Sequence, residues 1–84
     1  MAPDKIVGKK ILKIIYSKYD NTLSKFTSLH NIEDQYNIIR QALNGTTQLT
    51  FVTALYVLGK LYSDDMAVQK LSEILRSIVE YKED

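Results

Sequence analysis

The chain has 84 residues, a near-balanced net charge of +1, one histidine, no cysteine and no tryptophan. That length fits one domain over residues 1–84, which buries only about 60% of the surface its unfolded state exposes, so a partner or second copy could add burial. Disulfides and thiol redox chemistry are excluded, and no apolar run approaches the roughly 20 residues of a membrane span.

Pro3 suits the first turn of a helix and Asp4 its positive end. Val7, Ile11, Ile14, Ile15 and Tyr19 then share one stripe, while Lys5, Lys9 and Lys13 step along another face four residues apart. The spacing predicts a helix from about residue 4 to residue 19. Leu23 and Phe26 continue it across the poor helix formers Asp20 and Asn21, so a bent extension to residue 27 stays open. Lys18 projects towards the apolar stripe, an oddity at this level.

Asn31 reads as an N-cap for a second helix, with Glu33 and Asp34 in its first turn and Ile32, Tyr36, Ile39 and Leu43 as its stripe. Asn44-Gly45 ends it, because glycine takes a left-handed C-cap without steric cost. Thr47 caps the third helix, where Leu49, Phe51, Val52, Ala54, Leu55, Tyr56, Val57, Leu58, Leu61 and Tyr62 leave hardly a polar side. A helix apolar nearly all round is normally enclosed by its neighbours. Ser63 or Asp64 caps the last helix, whose inner stripe is Ala67, Leu71, Ile74, Ile78 and Tyr81, widened by Val68 and Leu75. Short connections make sequential helices antiparallel neighbours. The expected fold is all-α, a small antiparallel four-helix bundle around a strongly apolar third helix.

Charge is unevenly spread. Residues 1–26 carry net +4 and residues 63–84 net −3. The N-terminal lysines are not followed by a small-residue cleavage pattern, so no signal peptide is expected and cytoplasmic residence is the default.

Nothing in the chain assembles chemistry. His30 falls in a connection with no nucleophile or orienting acid at a meaningful spacing, and is read as a surface loop residue without a role. One histidine and scattered carboxylates specify no metal site, and no glycine-rich loop suggests a cofactor. No catalytic, cofactor-binding or metal-ligating residues are assigned, and the chain is expected not to be an enzyme.

Binding is the remaining class. Lys5, Lys9 and Lys13 form a candidate basic face for an acidic partner, and Tyr16, Tyr56 and Tyr81, at the edges of their stripes, are candidate interface anchors. Residues 31–60 have the outline of a helix–turn–helix, but the second helix has only Lys60 as a cation, whereas a reading helix needs several polar and basic groups. A protein partner is therefore expected ahead of nucleic acid. A small dimeric nucleic-acid regulator using the lysine face is the first alternative. A viral or plasmid-encoded structural or interaction protein is the second.

The segments ILKIIYSKYDNTLSKF (11–26), IRQALNGTTQLTFVTALYVLGKLY (39–62) and AVQKLSEILRSI (67–78) together resemble the immunity proteins against pediocin-like (class IIa) bacteriocins. The resemblance rests on helical punctuation and apolar spacing. It implies a cysteine-poor antiparallel four-helix bundle that is not an enzyme. Such a protein acts from the cytoplasmic side by recognising a sugar-transporter receptor occupied by bacteriocin. It points to the exposed side of the last two helices without matching any individual functional residue.

Overall fold

The computed structural model describes the backbone of residues 3–20 and 22–82 and the side chains of residues 5–20 and 22–78. Its elements are α1 (Pro3–Lys18), α2 (Leu23–Leu29), a 3-10 turn (Glu33–Gln35), α3 (Tyr36–Leu43), α4 (Phe51–Leu61) and α5 (Asp64–Lys82). The all-α expectation holds among the described residues, but the four-helix bundle does not. Among the described residues there are five α-helices, and the strongly apolar one is the fourth.

Two residues in left-handed backbone account for the difference. Asp20 has φ 55° and Asn31 φ 58°, a conformation that short polar side chains tolerate better than others. At Asp20 the first helix stops and does not bend onward. The Thr22 hydroxyl caps a new one by accepting the Lys25 N–H at 3.0 Å. Asn31 is a reversal, not the expected N-cap: the next N–H, that of Ile32, returns to the Thr27 carbonyl at 2.8 Å. Helix α3 then starts at Tyr36, after the 3-10 turn.

The later punctuation follows the reading more closely. Asn44 closes α3 and Gly45 has φ 88°. The cap of α4 is Thr50, not Thr47; its hydroxyl accepts the Thr53 N–H at 3.1 Å. Thr47 instead donates its N–H to the Gln41 carbonyl behind it.

The core collects the helical stripes. Val7, Ile11 and Ile15 from α1 meet Leu23 and Phe26 from α2, Ile39 and Leu43 from α3, and Ala54, Val57, Leu58 and Leu61 from α4. Ala67, Leu71 and Ile78 close it from α5, which pairs most extensively with α4. Thr27 is the one buried polar side chain among the described residues, and its hydroxyl donates to the Leu23 and Ser24 carbonyls. Two residues of the stripe expected on the last helix lie outside the core: Val68 is 57% and Leu75 41% exposed.

α1 crosses α3 at very short range. A Cβ on Gly8 would sit 2.5 Å from the Leu43 carbonyl oxygen, inside contact distance of rigid backbone. Lys18 continues the spacing of the α1 stripe but is exposed, with its ammonium over the Tyr62 ring, 4.8 Å from the centroid, and Lys70 lies 4.7 Å from the same centroid. A partly apolar stem with its charge on an aromatic face explains how a lysine fits that stripe.

Two stability tests follow from these contacts. Alanine is favoured over glycine in a helix interior by about 1 kcal/mol, so Gly8→Ala would stabilise an open helix. Here it is expected to destabilise by about 1–3 kcal/mol through overpacking; an unchanged or higher denaturation midpoint would refute the close crossing.

The second concerns Asp20, whose carboxyl is held below its ordinary pKa by the hydrogen bond and charge of Lys25, 2.7 Å away. A depressed carboxyl pKa contributes stability above the unfolded-state value, and that contribution is lost as pH falls through the folded-state value. Asp20→Asn, which keeps the tolerance for left-handed backbone, should therefore be slightly less stable than the parent at neutral pH. The difference should close in acid and in high salt, as read from thermal midpoints. An equal gap at both pH values would rule out the ion pair as its source.

Candidate interaction surface

The apolar helix is enclosed along only part of its surface. Val57 and Leu58 have no exposure, but Phe51 is 62%, Val52 74% and Tyr56 41% exposed. The expectation that this helix is surrounded by its neighbours is thus corrected at its N-terminal half. Positions 54, 57, 58 and 61 recur at helical spacing and face the core. Positions 51, 52 and 56 fall outside that set, where α3 and α5 border the helix without covering it.

Two hollows flank these positions. On one side Val7, Leu49, Phe51, Ala54, Leu71 and Leu75 line a depression of about 200 Å³. On the other, Gln35, Ile38, Ile39, Val52, Thr53 and Tyr56 line one of about 270 Å³. Phe51 and Val52, adjacent in sequence, form the ridge between them. Ile38 adds a 58% exposed side chain on α3. No lining residue of either hollow carries a charge.

The residues singled out from sequence divide among different places. Tyr56 belongs to this surface, with the Lys60 ammonium 5.4 Å from its ring centroid. Tyr16 is 39% exposed but lies elsewhere, in a more polar hollow of about 400 Å³ with Leu12, Tyr36, Arg40 and Asn44. The side chain of Tyr81 lies outside the described residues. Lys5, Lys9 and Lys13 are all exposed, and no carboxylate of the described residues pairs with them. The stem of Lys5 runs over Gly45, leaving the lysine face beside the polar hollow and not on the apolar ridge.

His30 is better integrated than the sequence suggested. It is the C-cap of α2, half-buried, with Nε2 3.0 Å from the Tyr19 hydroxyl and its ring 5.0 Å from that of Phe26. The direction of the Tyr19 hydrogen bond follows the histidine tautomer. The pair joins the end of α1 to the end of α2; none of its hydrogen-bond partners is a carboxylate that would orient the imidazole for proton transfer. Among the described residues no group of three or more histidine, aspartate and glutamate side chains is placed to hold a metal ion. Among them, too, no helix is long and apolar enough to cross a membrane.

Exposed Phe51 and Val52 had a signal that periodicity alone misses: α4 has more apolar faces than its neighbours can cover. Comparison with protein-family models, with curated proteins and with solved structures found no match to this chain.

Core and surface positions on α4 should respond in opposite ways to truncation. Leu58→Ala is expected to cost about 2–5 kcal/mol, whereas Val52→Ser should change stability by no more than about 0.5 kcal/mol. Equal losses in urea unfolding would show that Val52 is packed and would remove it from the surface.

Proposed function

We propose that this chain is a non-enzymatic protein-binding domain that engages its partner through the apolar face around Ile38, Phe51, Val52, Tyr56 and Leu75. The observation that carries the reading is the exposure of Phe51 and Val52 on a helix whose sequence calls for burial on every side. Contiguous apolar surface with an uncharged lining is the usual mark of an interaction site.

Bacteriocin immunity is the concrete biological form of this reading. Its support is the sequence pattern over residues 11–26, 39–62 and 67–78, whose resemblance points to the exposed side of the last two helices. Phe51, Val52, Tyr56, Val68 and Leu75 are exposed on α4 and α5. Expression in a bacteriocin-sensitive strain should raise survival, and Val52→Asp should reduce that protection at equal protein level. Unchanged killing across a bacteriocin panel would remove the immunity role.

A nucleic-acid reading draws on a different observation, the exposed run Lys5, Lys9 and Lys13, which no carboxylate of the described residues pairs. Phosphate contacts of that kind make affinity fall steeply with salt. Absence of duplex DNA binding even at low salt would dispose of it.

A further inference from the structure

Resting on the protein-binding reading, we infer that the partner covering the Phe51–Val52 ridge is a second copy of this chain, joined across a two-fold axis. The side chains of Ile38, Phe51, Val52, Tyr56 and Leu75 are between 41% and 74% exposed. Together they present on the order of 500 Å² per copy, as large as the biggest apolar patch of a typical monomer. Two such faces pressed together remove on the order of 1,000 Å², the lower bound for a specific interface and in the range of weakly associating pairs.

Shape and charge favour a like partner. A two-fold interface brings a patch against itself, so one patch must hold both a projection and a cavity to receive it. Here the ridge lies between hollows of about 200 and 270 Å³. A cavity of about 150 Å³ already accommodates a benzene ring, so either hollow can seat the Phe51 ring of the other copy. The described lining residues are uncharged, so the two sets of hollows meet without like-charge repulsion from their own walls. Lys60, over the Tyr56 ring, stands at the border of the face. The whole chain, at net +1, adds little long-range repulsion.

Sedimentation equilibrium over a wide concentration range, with amide chemical shifts followed on dilution, tests the assignment. The parent chain should be a dimer that dissociates on dilution, with shift changes concentrated at Ile38, Phe51–Tyr56 and Leu75 and little effect of salt. Val52→Asp should weaken association by roughly a hundredfold or more, because it places a charge in a dry contact. The same substitution suits the first turn of a helix, so its circular dichroism should match the parent's and show that the fold is intact. Lys9→Glu, on the basic face, should leave the dimer unchanged.

A monomer at every concentration overturns the second-copy assignment, as does a dimer that Val52→Asp leaves intact or one whose shifts map to Lys5–Tyr16. A chain that is monomeric at every concentration but whose Val52→Asp variant loses protection at equal protein level loses the second-copy assignment alone. A chain in which Val52→Asp changes neither association nor protection loses the protein-binding face as well.

Discussion

Val52 is three-quarters exposed while Leu58, less than two turns along the same helix, is completely enclosed, and both conditions follow from how much surface a short chain can cover. Helix α4 has apolar residues on nearly every side, but only α5 packs along it extensively, while α1 and α3 touch it more briefly. Burial is decided by where those neighbours end. Around Val57 and Leu58 they converge, and the resulting packing organises Ile11, Phe26 and Leu43 into one core. Around Phe51 and Val52 no further element exists in the described chain to close the layer. The surface therefore arises from the same constraint that limits small domains generally, the slow growth of buried fraction with length.

The inner stripes were legible because they depend only on helical period. Val7, Ile11, Ile15, Ile39, Leu43, Ala67, Leu71 and Ile78 are buried as their spacing requires. The Asn44-Gly45 stop was legible too, because a left-handed glycine is strong local evidence. The number of helices was not. Apolar periodicity passes through Tyr19, Leu23 and Phe26 without interruption, since a helix that stops and restarts can keep the same residues inward. What separates α1 from α2 is the backbone at Asp20, and residue identity there only permits the left-handed state. Asn31 shows the same ambiguity: asparagine suits an N-cap and left-handed backbone alike. The choice fell to the Ile32–Thr27 hydrogen bond, which no local pattern displays.

The interaction surface was hidden for a related reason. Composition marks α4 as needing burial, yet composition cannot say which arc the neighbours leave bare. Val68 and Leu75 illustrate the limit: they widen the apolar stripe of α5 in sequence but stand seven residues apart on an exposed strip. The tyrosines were read as equivalent edges of their helices, although Tyr16 and Tyr56 occupy separate hollows of different polarity. Lys18 gives the converse case. It continues the spacing of the apolar stripe yet is exposed, with its ammonium over the Tyr62 ring. Contacts between residues distant in sequence resolve what a single helix cannot.

Any molecule covering the ridge must also respect the end of α4. Phe51 and Val52 occupy the first two helical positions, where backbone N–H groups have no acceptor within the helix. Thr50 offers its hydroxyl to Thr53 and its carbonyl to Ala54, so neither oxygen of the cap reaches back to those two donors. Burying them dry would cost about as much as the unmade hydrogen bonds, roughly 1–3 kcal/mol each. That penalty would cancel much of the gain from covering one apolar side chain, roughly 1.5–3 kcal/mol. A favourable complex therefore places the Phe51 and Val52 side chains at its centre and leaves the helix terminus at a wet rim, or brings an acceptor to it. This orients the contact along α4 towards Tyr56 and Ile38, away from the α3–α4 connection. Specificity then comes from backbone polarity and shape on a face whose hollows have uncharged linings.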